Sequence, residues 1–300
     1  MSATDLPPQF TDAMQAHADA APSCDERPVP EGFNVVSLGA WLDLCKAAGV
    51  DAVPATKIGD IEIAHLIETL DYDPDRDWSS DTGAAQTRAF WTKIEAAKKP
   101  GTMIRWDCCA CAEVKYRLGT GRPEWHQDLL DCFYIDDFRA TDLIFEYPDT
   151  IIAAWSRPWM RARIVDGYPV EYRVFVEDAR IIGVSSYYPQ RPLPDTPEVR
   201  EDIAACLAEA DKLIAALPTP LRHPGGLHTD RSPESKSFTA DFMRLEDGRF
   251  LYLEGGPPFS PASGAHPCCF EHFDNWHDGA SFHLSGVPVA LEAAPREESQ

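Results

Sequence analysis

The stretch FTADFMRLEDGRFLYLEGG, residues 238–256, is two β-prone runs joined at Asp247-Gly248. Asp-Gly between such runs signals a β-hairpin, because both residues tolerate the positive φ of a two-residue turn. Counting outwards, Glu246 faces Arg249, Leu245 faces Phe250, Met243 faces Tyr252 and Asp241 faces Glu254. Facing residues of a ladder project to the same side of the sheet, so two carboxylates stand together. Like charges placed directly opposite are destabilising, and something must offset them. A hard divalent cation, Mg²⁺ or Mn²⁺, takes carboxylate oxygens and often shares phosphate as a further ligand. A nearby arginine would also neutralise the pair, and a bulge would shift the register. After Glu254 the chain reads Gly255-Gly256-Pro257-Pro258, which ends the strand. Small residues there admit a ligand or another backbone, or simply make a tight exit turn.

A second hairpin is written in EYRVFVEDARIIGVSS, residues 171–186. With Asp178-Ala179 as the turn, Glu177 faces Arg180 and Arg173 faces Val184. Arg173 then shares a face with Phe175. An arginine between apolar neighbours is costly without an anion, either a phosphate or a carboxylate.

Around these hairpins the chain reads as mixed α and β. Asn34–Leu38 is a strand candidate. Gly39–Gly49 has helical spacing through Trp41, Leu42, Leu44 and Cys45, closed by Gly49. Asp60–Leu70 and Thr87–Lys99 read as helices, and Thr102–Trp106 as a strand. Val114–Leu118, Phe133–Ile135 and Leu143–Phe145 are further strand candidates. Pro197–Leu217 is a helix, with Thr196 as N-cap, Pro197 at its first position and Ile203, Cys206, Leu207, Ala210, Leu213 and Ile214 as its apolar stripe.

The chain has 300 residues and a formal net charge of −22. A surface this acidic repels phosphate backbones, which argues against broad nucleic-acid binding. No apolar run is long enough to span a bilayer. Met1–Ala16 lacks the pattern of a signal peptide, so the expected compartment is the cytoplasm. Of the nine cysteines, Cys108, Cys109 and Cys111 cluster, and Cys268 and Cys269 lie near His266 and His272. Cys108 and Cys111 have zinc-ligand spacing, but the second group lacks a matching spaced pair, and packed free thiols are the preferred reading.

Arg105 and Asp107 on a strand, a later Lys115, the segment Arg157-Pro158-Trp159-Met160, the strand from Glu171 to Val176, and finally Asp241 and Glu254 come in an order that resembles the ATP-grasp superfamily. The likeness is greatest to its divergent branch containing the cell-division-cycle proteins that help assemble a translation initiation factor, and to ATP-grasp proteins of bacteria and phages. It covers about the C-terminal two thirds of the chain and is most specific from Arg157 to Tyr187.

The resemblance implies an α+β protein whose two lobes, built on antiparallel sheets, sandwich ATP. The expected divisions are a leader over 1–31, an N-terminal α/β lobe over 32–100, a small ATP-grasp lobe over 101–155, a large lobe over 156–288 and a tail over 289–300. It implies that Arg105 and Lys115 contact phosphates, that Arg157, Pro158, Trp159 and Met160 form the hinge beside the adenine, and that Arg173 is a catalytic residue facing the phosphates. Asp241 and Glu254 then match the metal ligands for Mg²⁺ or Mn²⁺. Gly256 departs from the family, which often has Asn there as a further ligand, and Cys108–Cys111 replace a Ser-rich stretch.

The implied activity is ATP-dependent joining of a carboxylate to an amine or related nucleophile through an acyl-phosphate, on a small-molecule or peptide substrate. Arg161, Arg163 and His228 are candidate substrate contacts. The alternative is a non-catalytic, ATP-dependent assembly factor. Its protein partner would meet the aromatic-rich tail of Phe270, Phe273, Trp276 and Phe282, although such aromatics more often pack as a terminal helix on the core.

Overall fold

The computed structural model describes residues 31–62, 82–133, 151–188, 196–222, 232–258, 281–284 and 287–290. Two antiparallel sheets organise the described residues. The larger has four strands in the order β11 (Phe250–Gly256), β10 (Phe238–Arg244), β7 (Glu171–Glu177), β8 (Arg180–Ser186). The smaller has three in the order β2 (Thr56–Glu62), β4 (Ile151–Pro158), β3 (Thr102–Trp106). The α+β class read from the sequence is what the structure shows.

Helices α1 (Leu38–Ala48) and α4 (Pro197–Ala216) cover one face of the larger sheet. Alternate strand residues Tyr172, Val174, Val176, Phe238, Ala240 and Phe242 meet Trp41, Leu44, Ile203, Cys206 and Leu213 in one core. The caps of α4 follow the sequence. Thr196 Oγ1 accepts from Val199 N at 3.3 Å, and Pro197 lies in the first helical turn. Gly49 ends α1 with φ 69°, the left-handed conformation that favours glycine. A second core lies on the smaller sheet, where α2 (Thr82–Ala97) and α3 (Ala112–Gly119) bring Phe90, Ile94 and Val114 onto Ile104, Trp106 and Ile152. Within residues 32–100, α1 joins the first core and β2 and α2 join the second.

Several local expectations are corrected. Asp60–Glu62 belongs to strand β2 rather than to a helix, and residues 63–70 lie outside those described. Val114–Leu118 lies within helix α3. Its alternation resembles a strand, but Val114 and Leu118 are also one helical turn apart, and both join the second core. The expected strand Asn34–Leu38 is reduced to β1 (Phe33–Asn34), parallel to β9 (Leu221–Arg222), because Leu38 already opens α1. Strand β4 was not anticipated from the sequence, nor were the short paired strands β5 (Ile164–Val165) and β6 (Tyr168–Pro169). Phe282 lies on β12 (Ser281–Leu284), paired with Val289 of β13 (Val287–Ala290), rather than on a helix. Phe270, Phe273 and Trp276 lie outside the described residues, as do His228, Leu143–Phe145 and the Cys268–Cys269 group.

The decisive hairpin is subtler than a two-residue turn. Leu245 N donates to Arg249 O and Gly248 N to Leu245 O, at 2.9 and 3.1 Å, and Gly248 has φ 87°. The turn therefore holds three residues, and Met243 faces Leu251 rather than Tyr252. A bulge between Asp241 and Phe242 then shifts the register back, and Asp241 does face Glu254. The two offsets cancel. In the other hairpin Asp178 and Ala179 have φ 48° and 60°, as a tight primed turn requires. Glu177 faces Arg180, but a shift at Phe175/Val176 puts Arg173 opposite Ser185 instead of Val184.

Candidate functional site

A cleft of about 610 Å³ opens between the two sheets. Its position follows from strand alternation. Register pairs Met103 with Arg157 and Arg105 with Trp155, so these four share one face of the smaller sheet. On the larger sheet the face away from α1 and α4 carries Glu171, Arg173, Asp241, Met243 and Glu254. Met103, Arg157, Trp159, Met160, Met243 and Leu253 line the cleft together with Lys115, Glu171 and Glu254. Its wall thus combines apolar side chains with a few charged ones, the usual form of a cofactor site.

Arg157 is the most exacting of these charges. It is 3% exposed, and its Nη2 has no hydrogen-bond partner among the described residues. Burial, and then the neighbouring Arg105, pull its guanidinium down to about 9. Pro158 ends β4 beside it and lines the cleft. Trp159 is fixed by its own backbone N on Gly101 O at 2.8 Å and by its indole N–H on Pro123 O at 2.9 Å.

The two carboxylates already hold arginines. Arg105 reaches from β3 to Glu254 on β11, Nη1 to Oε2 at 2.7 Å, and so crosses from one sheet to the other. Arg173 Nε and Nη2 donate to the two oxygens of Asp241 at 2.7 and 2.6 Å. Burial pushes Glu254 up, but Arg105, Lys115, Arg173 and Arg157 together draw it down to about 2. Burial raises Asp241 against the pull of Arg173. Arginines thus offset the charge of both facing acids.

The structure therefore brings Lys115, Arg157, Pro158, Trp159, Met160 and Glu254 to the cleft wall. Arg105, Arg173 and Asp241 are engaged in ion pairs beside it. Arg161 also lines the cleft, whereas Arg163 turns away to Asp202 at 2.9 Å. Sequence reading missed Glu171, although period-two alternation from Arg173 places it on the same face. Glu171 is 4% exposed, and Tyr188 donates to it at 3.3 Å. Burial first, then Asp241 and Glu254, push its carboxyl up to about 8.

A further acid ties the elements around the site. Asp107 Oδ1 accepts from Gly39 N and from the Trp155 indole at 3.2 and 2.8 Å, and Oδ2 from Ala153 N at 3.0 Å. The Gly255 position is explained by packing rather than by a ligand, since a Cβ there would stand 2.2 Å from the Trp41 ring. Cys111 donates its thiol to Ile104 O at 3.4 Å, and Cys109 is buried in the same core.

The donor set suits Mg²⁺ in type, because both acids are hard carboxylate ligands and Glu254 opens on the cleft. Among the described residues no group of three or more His, Cys, Asp or Glu is placed to hold a metal ion. Two carboxylates are nonetheless enough for Mg²⁺ when phosphate oxygens and water complete its shell. Among the same residues no helix is long and apolar enough to cross a membrane.

No family model and no curated protein sequence matches the chain. Among solved structures it is similar to Cdc123 from Schizosaccharomyces pombe, at 15% identity and TM-score 0.43, over 74% of this chain and 82% of that one. It is also similar to biotin carboxylase from Campylobacter jejuni, at 11% identity and TM-score 0.34, over 76% of this chain and 41% of that one. A third is the ATP-grasp ligase PsnB, solved with Mg and ADP, at 12% identity and TM-score 0.30, over 76% of this chain and 50% of that one. The chain spans half or less of the length of the last two. At these scores the likeness is one of general arrangement and says nothing of ligand or reaction.

Proposed function

We propose that the cleft is an ATP-grasp nucleotide site that takes ATP with Mg²⁺ or Mn²⁺. On this reading the chain is an ATP-dependent ligase joining a carboxylate to an amine or related nucleophile. The observation that carries it is Arg157, a buried guanidinium with an unpartnered N–H at the wall of a cleft between two sheets. Burying such a group is costly unless an anion meets it, and a phosphate oxygen does so with a charge-assisted hydrogen bond. Lys115 adds a second cation on the same wall. The apolar remainder, Met103, Trp159, Met160, Met243 and Leu253, suits the flat faces of a purine.

Asp241 and Glu254 are the residues that would hold the cation, which supplies charge neutralisation to the phosphate oxygens. When bound, ATP would supply a phosphoryl group to a substrate carboxylate with ADP as leaving group, and an amine would then displace inorganic phosphate from the acyl-phosphate with loss of a proton. The chain's part is positioning and charge stabilisation: Arg157, Lys115, Arg105 and Arg173 hold anionic oxygens, and the cleft walls exclude water.

A thermal melt with ATP, GTP and AMP, each with Mg²⁺ or EDTA, tests the reading. Ligand at about a hundred times its dissociation constant adds roughly 2.7 kcal/mol to stability. A metal-dependent upward shift with ATP is expected, and no shift with any nucleotide refutes the nucleotide site. A shift without turnover on any carboxylate and amine pair would favour the assembly-factor alternative.

A further inference from the structure

The loop between β3 and α3 carries two cysteines that the nucleotide reading leaves unused. Cys108 and Cys109 are neighbours in the chain, and the Cys108 thiol donates to the Cys109 sulfur at 3.8 Å. Cys109 is 3% exposed in the core on the smaller sheet, whereas Cys108 is half-buried. Two other cysteines nearby are turned to backbone oxygens, Cys111 to Ile104 O and Cys132 to Asp128 O, each at 3.4 Å. The loop is held in place. Trp106 N donates to Cys109 O at 3.0 Å, and Asp107 accepts from Gly39 N, Ala153 N and the Trp155 indole.

Two sulfurs this close can be joined by a bond or by an ion. The bond is disfavoured. Neighbouring Cα atoms across a trans peptide are about 3.8 Å apart, short of the roughly 4.4–6.8 Å that a disulfide spans. An ion asks less of the backbone. Two thiolates bonded to one metal at about 2.3 Å each stand roughly 3.8–4.6 Å apart, depending on the angle at the metal. The spacing of Cys108 and Cys109 already falls in that range.

The kind of ion follows from ligand number and charge. Structural zinc takes four ligands, and among the described residues no group of three or more His, Cys, Asp or Glu is placed to hold a metal. Soft thiolate ligands select Cu(I), which two sulfurs satisfy. Binding exchanges two thiol protons for one monovalent cation and leaves one negative charge on the group. The hydrogen bond to Cys109 and burial push the Cys108 thiol up, while the charge of Lys115 acts the other way. Arg105 lies within electrostatic reach of both sulfurs. Two cations thus flank the pair and offset the charge that binding leaves.

We propose that Cys108 and Cys109 form a two-thiolate site for Cu(I) on the loop between β3 and α3. The site is independent of the nucleotide reading. Its test uses the full chain carrying Cys24→Ser, Cys268→Ser and Cys269→Ser, which removes the other adjacent pair of cysteines. Anaerobic titration with Cu(I) against bathocuproine disulfonate counts the bound ions, and X-ray absorption reads their ligands. One Cu(I) per chain with two sulfur ligands is expected, and Cys132→Ser should leave it in place. Cys108→Ser and Cys109→Ser should each abolish it. A melting curve shows which variants are folded, and the half-buried Cys108→Ser decides the matter if the core variant Cys109→Ser is not. Cu(I) retained by folded Cys108→Ser, ligation by three or more sulfurs, or no uptake by the parent chain overturns the site.

Discussion

At the scale of the residue, the site is governed by which acids are ionised. Glu254 is paired with Arg105 and Asp241 with Arg173, and removing either acid leaves a buried arginine without that partner. Glu254→Gln and Asp241→Asn should each weaken ATP binding in Mg²⁺ by roughly tenfold or more, about 1.4 kcal/mol, as read by calorimetry. Unchanged affinity in both would remove them from the site. Glu171 behaves differently, since its carboxyl is pushed from an ordinary 4.5 to about 8. Between those values the folded chain holds a proton that the unfolded chain has lost. Stability therefore falls as pH rises across that window and levels off above it. Glu171→Gln removes this loss, so the decline in melting temperature from about pH 5 to about pH 8 should shrink. The facing of Asp241 and Glu254 was read from a two-residue turn and an unbroken ladder, and it holds because the three-residue turn and the bulge cancel. The arginines that hold them were not, because Arg105 comes from another sheet and nothing local in the sequence records that approach.

At the scale of the element, segments with a clear period were legible and those without were not. Strands β7, β8 and β10 and helix α4 follow their alternation and caps closely. Strand β4 reads Ile-Ile-Ala-Ala-Trp-Ser-Arg-Pro, with no alternation to announce it, because its Ala153 and Ala154 are both buried. Helix α4 also hides a charged residue that its apolar stripe did not reveal. Asp202 is 3% exposed, and Arg163, Arg244 and the Tyr172 hydroxyl all donate to it. This hub fastens the chain just beyond Trp159 and Met160 to β10 and α4. Asp202→Ala removes the anion shared by two guanidiniums and should cost about 3 kcal/mol in denaturant unfolding. A loss under about 1 kcal/mol would mean that water replaces the carboxylate there. Gly255→Ala tests a packed contact instead. Its new methyl group would press on the Trp41 ring, and a loss of about 1–3 kcal/mol is expected.

At the scale of the whole molecule, residues 31–62 are not an accessory to the sheet region. Trp41 packs against Phe238 and Tyr252 with ring centroids 5.1 and 5.9 Å apart, and its indole N–H bonds Val35 O at 2.8 Å. A fragment beginning at Met103 leaves the larger sheet without α1. It should lack the cooperative melt of the full chain. This interleaving was beyond sequence reading, since a helix near the start of the chain does not say which sheet it will cover. Asp107 adds a mechanical consequence. Arg105 and Asp107 leave the same end of β3, one gripping Glu254 and the other gripping the first turn of α1 and the indole of Trp155. The two sheets are thus pinned at that end like a door on its hinge post. Any opening of the cleft must therefore turn about that pinned end or break the bridge from Arg105 to Glu254.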